Sequence, residues 1–330
     1  MNKSFKAFRV YEDANKQYKT VIETKSVDDL PEGDTLIKVE YSSLNYKDAL
    51  SASGNKGVTR NYPHTPGIDA AGTIEESENT SFKKGDKVIV TGFDLGMNTW
   101  GGYSEYIRVP SEWVLHLPEN ISAKEAMILG TAGMTAGLSV SELLMNNIEE
   151  DGSILVTGAT GGVGLISTAI LASQGFKVTA VTGKQDMHDT LKKLGAANII
   201  SREELQEKSE KPLLKGEYAG AIDVAGGKTL DSILKRLTFD GIATCCGLVD
   251  SPKLETTLFP FILRGIRLIG IDSAETNINH RQKVWNMFAN EWNIKLPADL
   301  ITECTLEELP DYINQILEGK IKGRVVVKIQ

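Results

Sequence analysis

The first third of the chain alternates short apolar runs with polar turn residues. Apolar and β-branched residues concentrate over residues 35–40, 87–91 and 103–109, and Gly, Pro and Asn residues separate these runs. Runs of this length with turn residues between them are typical of antiparallel strands. The pattern therefore predicts a barrel-like β domain in this part of the chain.

From residue 122 onward, strand-like and helix-like patterns alternate. Ser122 precedes a first helical turn that contains Glu125, which is the pattern of a helix N-cap. Apolar runs of strand type follow at residues 153–156, 177–181, 198–200, 220–224, 241–246 and 267–271. Strands that alternate with helices indicate a parallel, doubly wound sheet.

The last part of the chain carries helical patterns around residues 280–290 and 306–317 and a closing apolar run at residues 324–329. We expect this closing strand to return to the β domain, which makes that domain discontinuous. The predicted fold class is α/β. A β-rich domain comprises residues 1–124 and 276–330, and a doubly wound domain comprises residues 125–275.

A glycine-rich turn joins the first strand of the doubly wound domain to the helix after it. Residues 152–164 have the sequence GSILVTGATGGVG, and a helix-like run at residues 165–173 follows. Such a turn lets a pyrophosphate approach the N–H groups at a helix N-terminus, where the helix dipole favours negative charge. The order of strand, turn and helix therefore predicts a dinucleotide site. The expected phosphate contacts are Thr160, Gly161, Gly162 and Val163.

The end of the second strand indicates which dinucleotide binds. NAD sites of this type carry an Asp or Glu there that holds the ribose 2′-hydroxyl. Here the strand continues into Thr182, Gly183 and Lys184, and Asp186 comes only two residues later. Because a lysine, a hydroxyl and a backbone amide suit a 2′-phosphate, we predict NADPH, with Arg202 as a second contact to the phosphate or the adenine. A solvent-facing Lys184 and a surface Arg202 at a helix start are the alternatives.

Composition and charge narrow the function classes. The 330 residues are 41% hydrophobic and 24% charged, and their formal net charge is −8. A negative chain is unsuited to non-specific nucleic-acid binding, which relies on a positive field. Three cysteines, Cys245, Cys246 and Cys304, are too few for a disulfide framework. With no signal-peptide pattern at residues 1–6 and no uninterrupted apolar stretch that would span a bilayer, we expect a cytoplasmic protein without a membrane partner.

Motifs spread along the chain resemble the medium-chain dehydrogenases/reductases. They are SSLNYKDAL at residues 42–50, PGIDAAG at 66–72, GTAG at 130–133, PFILRG at 260–265, IDS at 271–273 and IKGR at 321–324. They look most like the zinc-free branch of acryloyl-CoA reductases and quinone oxidoreductases. One departure is Ala159, which stands at the first glycine place of the glycine fingerprint.

The resemblance covers essentially the whole chain and implies its architecture. It implies a discontinuous GroES-like catalytic domain with an inserted Rossmann domain that binds NADPH. It also implies a homodimer, and the edge strand at residues 267–271 is a candidate for the contact between the two copies.

Alcohol dehydrogenases of that superfamily hold a catalytic zinc with Cys and His. The resemblance places Asn45 where such a Cys ligand stands and Ile68 where a His ligand stands. Residues 90–109 also lack the cysteines of a structural zinc lobe, and the four histidines are scattered: His64, His116, His188 and His280. Because zinc requires Cys or His ligands at close spacing, we predict no metal site.

The resemblance also implies catalytic roles near the end of the first motif. Tyr46 is the expected hydrogen-bond donor or proton source, Asn45 is expected to position it, and Asp48 is expected to orient Lys47 or Tyr46. The alternative is that Tyr46 packs over the nicotinamide and that Asp48 caps a helix beginning near Ala49.

Further cofactor contacts follow from the same resemblance, along the nicotinamide half and from the closing strand. The residues expected there are Leu248, Ile262, Ser273 and Arg324. Lys56 and Arg60 are candidates for the phosphates of coenzyme A, with solvated surface charges as the alternative. Residues 130–133 have a structural alternative too, since small residues let a helix pack closely.

Three functions are open at this point. The first is an NADPH-dependent, zinc-independent reductase that transfers hydride to an activated C=C bond, with acryloyl-CoA reduced to propionyl-CoA. The second is an NADPH:quinone oxidoreductase, because both reactions are two-electron reductions of a conjugated carbonyl. The third, of another class, is a non-catalytic NADPH-binding protein, because the sequence contains no certain acid or base.

Overall fold

The computed structural model describes residues 3–146, 148, 152–206, 211–292 and 294–330. The chain divides into two compact units. Unit 1 comprises Met1–Thr131, Ala274–Ala289 and Pro297–Gln330, and unit 2 comprises Ala132–Ser273 and Asn290–Leu296. The first division thus falls at Thr131 rather than at residue 124, and the short segment Asn290–Leu296 joins unit 2 without any signal in the sequence.

The N-terminal part of unit 1 consists mainly of strands. They are β1 (Ser4–Glu12), β2 (Tyr18–Ser26), β3 (Thr35–Ser43), β4 (Asp69–Ser77), β5 (Lys87–Thr91), β6 (Tyr106–Val109) and β7 (Leu115–His116). Helix α1 (Tyr46–Ala52) follows β3, and the 3₁₀ turns Val27–Asp29 and Ser111–Trp113 lie in the connections.

Helix α2 (Ala123–Met145) comes next, and strands then alternate with helices. The elements of this alternating part are β8 (Ser153–Val156), α3 (Gly162–Ser173), β9 (Lys177–Val181), α4 (His188–Lys193), β10 (Ala196–Ile200), α5 (Arg202–Leu205), β11 (Tyr218–Asp223), α6 (Gly227–Leu234), β12 (Leu237–Cys245), α7 (Phe259–Arg264) and β13 (Arg267–Gly270). A 3₁₀ turn, Gln185–Met187, precedes α4.

The C-terminal part returns to unit 1. It contains α8 (Ile278–Met287), a π-helical turn (Phe288–Trp292), a 3₁₀ turn (Ala298–Leu300), β14 (Ile301–Cys304), α9 (Leu309–Leu317) and β15 (Arg324–Lys328).

The six-stranded sheet of unit 2 has the order β10-β9-β8-β11-β12-β13 within the described chain, and its pairs are parallel. Its central strand β8 is an apolar run because both of its faces are covered; Ile154, Leu155 and Val156 are fully buried. Successive strands are added in one direction from β8 to β10 and in the other direction from β11 to β13, so the order reverses between β8 and β11. In doubly wound sheets, ligands bind at the carboxyl ends of the strands beside this reversal.

The predicted return of the closing strand is confirmed. β15 pairs antiparallel with β3 and parallel with β14, in a sheet of order β14-β15-β3-β4-β5-β7 to which β6 is joined through β3. Apolar side chains from several of these strands pack into one core, including Ile37, Val88, Ile107 and Val327. The closing strand therefore belongs to the core of unit 1.

Helix α2 is broken at Gly130, whose φ of 50° and ψ of −150° are not helical. By length and composition this helix would suffice to cross a bilayer, which the sequence analysis did not expect of any segment. Most of its apolar stretch is buried inside the protein, with Met127, Met134, Ala136 and Val140 fully covered. A buried core helix has the same apolar composition, and the backbone break at Gly130 interrupts it.

Candidate functional site

A cavity of about 260 Å³ opens at the carboxyl ends of β8, β9 and β11 in unit 2. Its walls come from segments that directly follow these strands and from α5 and α6. The lining residues are Thr157, Gly158, Thr160, Val181, Thr182, Gly183, Lys184, Arg202, Val224, Ala225, Thr229 and Val249. Five predicted cofactor residues therefore line one cavity: Thr160, Thr182, Gly183, Lys184 and Arg202.

The glycine turn begins at Gly158 in the left-handed conformation, with φ of +55°. A Cβ atom there would stand 2.4 Å from Val224 Cγ2, and a Cβ at Gly164 would stand 2.4 Å from the carbonyl oxygen of Gly158. The tight turn and the close packing of α3 thus use Gly158 and Gly164. Ala159 needs no unusual backbone conformation, which explains why an alanine is tolerated in the fingerprint.

Helix α3 presents its N-terminus at this turn. Gly161 is the N-cap residue, no side chain caps the helix, and its first turn contains no acidic residue. Backbone N–H groups in the first helical turn lack intrahelical acceptors, and the helix dipole adds positive potential there. Gly161, Gly162 and Val163 are therefore suited to a pyrophosphate, as the sequence predicts.

The cationic end of the cavity contains Lys184 and Arg202, and no Asp or Glu is among the lining residues of the described chain. The Thr182 hydroxyl accepts a hydrogen bond from the backbone N–H of Lys184 at 3.0 Å. A Cβ atom at Gly183 would meet nothing within 4 Å, so the turn leaves open space at its tip. Two cations, a hydroxyl and open space fit a phosphate monoester.

The wall opposite β9 is held by a buried carboxylate. Asp223 accepts hydrogen bonds from the Thr157 hydroxyl at 2.7 Å, from Ala225 N at 3.2 Å and from Gly226 N at 2.7 Å. Burial raises the pKa of the Asp223 carboxyl above its ordinary value. Thr157 Oγ1 in turn accepts the N–H of Val224 at 3.0 Å, so this pair fixes the loop after β11.

The sequence analysis did not predict the cavity residues on the side of β11, which are Val224, Ala225, Thr229 and Val249. Val224 ends a predicted strand, and the rule that ligands bind at carboxyl ends of parallel strands would have indicated Val224 and Ala225. Thr229 and Val249 are far away in the sequence and carry no motif, so no linear signal points to them.

In unit 1, the predicted catalytic residues lie at the start of α1. The helix begins at Tyr46, with Asn45 as its N-cap, three residues before the start near Ala49 that the alternative interpretation assumed. Asp48 lies in the first turn and accepts the backbone N–H of Asn45 at 2.8 Å, as in a capping box. Tyr46 is 55% exposed, so its phenol is accessible from solvent.

The expected role of Asp48 toward Lys47 or Tyr46 is not what its contacts show. Its second oxygen, Oδ1, accepts the backbone N–H groups of Gly67 at 3.1 Å and Ile68 at 2.8 Å. The carboxyl is fully buried, and burial together with the nearby charge of Asp69 raises the pKa of Asp48 to about 7. Asp48 therefore anchors α1 to the loop before β4.

The side chain of Asn45 is engaged at both ends. Its Nδ2 atom donates to Asp69 Oδ2 at 2.8 Å and to Ser43 Oγ at 3.1 Å, and its Oδ1 atom lies 3.4 Å from both terminal nitrogens of Arg324. Arg324 is buried and its Nε donates to the carbonyl oxygen of Ile128 at 2.8 Å. Its contact with a cofactor stays a prediction.

The residues that replace the zinc ligands do not fit a zinc site. The Asn45 amide nitrogen is a hydrogen-bond donor to Asp69, and the buried Ile68 side chain offers no ligand atom. In the part of the chain that the structure describes, no group of three or more His, Cys, Asp or Glu side chains is arranged to hold a metal ion.

The other predicted residues are not among those that line the unit 2 cavity. Leu248 and Ile262 are exposed in unit 2, and the Ser273 hydroxyl receives a hydrogen bond from Thr135 at 2.7 Å. Lys56 is paired with Glu12 at 2.6 Å, and its contact with a coenzyme A phosphate stays a prediction.

Two family models match the chain. The alcohol dehydrogenase GroES-like domain matches residues 31–119, and the zinc-binding dehydrogenase domain matches residues 162–290. Among curated proteins, the chain is similar to Bacillus subtilis YhfP, provisionally named a quinone oxidoreductase, with 44% identity over 313 residues, 93% of this chain and 94% of YhfP. It is 41% identical over 305 residues to acrylyl-CoA reductase AcuI of Ruegeria pomeroyi, 92% of each chain.

Solved structures show the same fold. Escherichia coli K-12 YhdH with bound NADPH superposes with a TM-score of 0.92 at 39% identity, over 98% of this chain and 100% of YhdH. Bacillus subtilis YhfP with NAD bound superposes with a TM-score of 0.94 at 42% identity, over 99% of this chain and 100% of YhfP.

Proposed function

The chain belongs to the acryloyl-CoA reductase and quinone oxidoreductase branch of the medium-chain dehydrogenases/reductases, and from this premise we propose that it is an NADPH-dependent reductase of activated C=C bonds. The substrate that we propose is acryloyl-CoA, reduced to propionyl-CoA. The observation that carries the proposal is 41% identity to an acrylyl-CoA reductase over 92% of both chains.

NADPH is the proposed cofactor because of the cationic end of the unit 2 cavity. Lys184 and Arg202 would hold the 2′-phosphate, and the N-terminus of α3 at Gly161 would hold the pyrophosphate. When bound, the cofactor supplies the hydride of the reaction. YhfP was crystallised with NAD and YhdH with NADPH, so the branch accommodates both, and the cations of this chain favour the phosphorylated form.

Tyr46 is the proposed hydrogen-bond donor to the substrate. Reduction of a conjugated carbonyl compound builds negative charge on the carbonyl oxygen, and a preorganised donor stabilises such charge. The phenol of Tyr46 projects from the first turn of α1, a helix start that Asn45 and Asp48 hold rigidly. We propose that this donor acts without zinc, since Asn45 and Ile68 offer no zinc ligands.

The test is a side-by-side assay of the purified protein with NADPH and either acryloyl-CoA or a quinone, followed at the nicotinamide absorbance band. We expect fast turnover of acryloyl-CoA that chelators leave unchanged. Turnover of quinones alone would favour the second candidate, which rests on the 44% identity to YhfP. Tight NADPH binding without turnover across enals, enones and acyl-CoAs would favour a non-catalytic protein.

We also propose a homodimer formed through β13, in the cytoplasm. β13 is the outermost strand of the unit 2 sheet in the described chain, and the preceding helix α7 leaves Phe259 and Leu263 exposed. Strand edges at the border of a sheet and exposed apolar patches commonly form the contacts between two protein chains. The cysteines are free thiols, as expected in a reducing compartment. Sedimentation equilibrium tests the dimer, and a monomer at micromolar concentration would contradict it.

A further inference from the structure

We propose that Asp69 is a positioning residue for Tyr46, and that one carboxylate sets both the start of α1 and the break in α2. Asp69 is the first residue of β4 and is fully buried. The inference rests on the proposed function only for the role of Tyr46 in the reaction. The position of Tyr46 can be measured without turnover.

The Asp69 carboxylate accepts hydrogen bonds from three residues that lie in two segments of the chain. Its Oδ2 atom accepts from Ser43 Oγ at 2.6 Å, from Asn45 Nδ2 at 2.8 Å and from the backbone N–H of Thr131 at 2.9 Å. Its Oδ1 atom accepts from the Thr131 hydroxyl at 2.6 Å. All four of these groups, on three residues, act as donors, so the group at position 69 must be an acceptor on both oxygens.

The link to Tyr46 runs through Asn45. Asn45 is the N-cap of α1 in an extended conformation, and Tyr46 is the first helical residue. Because more than half of the Tyr46 side chain is exposed, packing around the phenol does little to fix it. The direction in which Tyr46 leaves the helix is therefore set by the N-cap. The side chain of that N-cap donates to Ser43 at 3.1 Å and to Asp48 at 3.2 Å, and its shortest hydrogen bond, at 2.8 Å, is to Asp69.

The link to α2 runs through Gly130 and Thr131. Thr131 donates to Asp69 with both its backbone N–H and its hydroxyl, which is how an acidic side chain caps a helix start. The second helical segment of α2 resumes at this residue, directly after the non-helical Gly130. The GTAG motif therefore does more than supply small side chains. Its glycine leaves room for the Asp69 carboxylate, and its threonine donates hydrogen bonds to that carboxylate.

A carboxylate also suits the charges of this region. Arg324 is buried with its terminal nitrogens 3.4 Å from Asn45 Oδ1, so the cation and Asp69 bind opposite ends of the same amide. An amide at position 69 would turn an N–H₂ group toward Ser43, Asn45 or Thr131 and break part of this arrangement.

The experiment compares Asp69→Asn with Ser42→Ala. The Ser42 hydroxyl donates to the backbone carbonyl of Asp69 at 2.6 Å, so the control removes a buried hydrogen bond to the same residue and spares the carboxylate. We expect Asp69→Asn to lower kcat about 10- to 100-fold with little change in KM for NADPH. In a Tyr46→Phe background, Asp69→Asn should lower kcat hardly any further, because both substitutions act on the same group, the Tyr46 phenol. Ser42→Ala should lower the melting temperature and leave kcat unchanged.

A second readout is independent of activity. With 3-fluorotyrosine incorporated, the ¹⁹F resonance of Tyr46 is identified by its loss in Tyr46→Phe. We expect this resonance to shift or broaden in Asp69→Asn and to stay in place in Ser42→Ala. An unchanged resonance in Asp69→Asn, or a loss of kcat that adds fully to that of Tyr46→Phe, would overturn the proposal. Absence of any turnover in the wild type would count against the proposed function and not against the resonance shift.

Thr131 provides variants in case Asp69→Asn does not fold. Thr131→Val removes one of the four donors, and Thr131→Ser keeps it. We expect the Tyr46 resonance and kcat to change in Thr131→Val and to recover in Thr131→Ser. Equal behaviour of the two variants in both readouts would contradict the proposal.

Discussion

Gly130 lies directly against the carboxylate of Asp69: a Cβ atom at position 130 would stand 2.5 Å from Asp69 Oδ2. Its backbone is also left-handed, with φ of +50°. Both conformation and space therefore require glycine at this break in α2.

Gly130→Ala should lower the free energy of unfolding by about 2–5 kcal/mol, because left-handed strain and overpacking add. Gly85→Ala is the matched control in the same unit: its φ is +92°, but a Cβ atom there would meet nothing within 4 Å. The control should lower the free energy of unfolding by only about 1–2 kcal/mol, which is the strain of the left-handed backbone alone. Equal losses of unfolding free energy for Gly130→Ala and Gly85→Ala in urea denaturation would contradict the prediction, because they would mean that the Asp69 carboxylate moves away from the new Cβ atom without loss of stability.

Lys184→Ala should raise KM for NADPH about 10- to 100-fold, because a charge-assisted contact to the 2′-phosphate is lost. KM for NADH should stay close to the wild-type value. Lys177→Ala is the control, since Lys177 is an exposed lysine at the opposite end of the same strand, β9. Initial-rate kinetics with both cofactors check the prediction. A rise in KM of the same size for NADPH and NADH would refute a contact between Lys184 and the 2′-phosphate.

Tyr46→Phe should reduce kcat about 100-fold if the phenol donates to the substrate oxygen. Its effect on unfolding should be within about 0.5 kcal/mol, because the side chain is largely exposed. Tyr11→Phe, which removes a partly exposed hydroxyl bound to Glu23 at 2.8 Å, is a suitable control and should leave kcat unchanged. An unchanged rate in Tyr46→Phe would exclude the phenol from the chemistry.

His64 should make unit 1 sensitive to acid. Burial, assisted by repulsion from Arg9, lowers the pKa of His64 to about 4, while in the unfolded chain the pKa is near 6.5. The folded state thus binds the proton less readily, so this contribution to stability is present above pH 6.5 and is lost as the pH falls toward 4. The loss amounts to about 3 kcal/mol.

The measurement is the free energy of unfolding of His64→Gln relative to the wild type at several pH values. The destabilisation by His64→Gln should be smaller at pH 4 than at neutral pH by about 3 kcal/mol. A pH-independent difference for His64→Gln would show that the imidazole titrates normally in the folded protein.

Thr157→Val should loosen the wall of the cofactor cavity. The substitution removes a donor to the buried Asp223 and an acceptor for Val224 N, so we expect a loss of about 1–3 kcal/mol in unfolding free energy. NADPH should bind more weakly, as fluorescence titration would show. Thr157→Ser should restore both properties, and a failure of that rescue would point to lost methyl packing instead.

Local patterns were sufficient to locate the strands of unit 2, although β12 begins at Leu237, four residues before the predicted run at residues 241–246. The strands at residues 153–156 and 177–181 were predicted with the bounds that the structure has, because each is a short apolar run next to glycine or charged residues. Helix α1 was placed three residues too late, near Ala49 instead of at Tyr46. The capping box of Asn45 and Asp48 was present in the sequence, but short polar side chains also favour turns.

The hairpin of β1 and β2 and the sheet partners of β14 were not predicted at all. Their pairing depends on residues distant in sequence, and β2 is mostly polar, so its pattern lacks an apolar face. The same limit applies to the site, where Thr229 and Val249 line the cavity only because the sheet order brings their segments there.

The amino-acid sequence by itself determined the class of the fold, the dinucleotide turn and the position of Lys184 just after β9, because each depends on neighbours within a few residues. Only the tertiary structure decided that Asp48 anchors a loop, that Arg324 is buried beside Asn45, and that Asp69 binds both Asn45 and Thr131. Those contacts join segments separated by tens to hundreds of residues. A buried carboxylate has to find its donors wherever the folded chain brings them, and no local pattern records where that is.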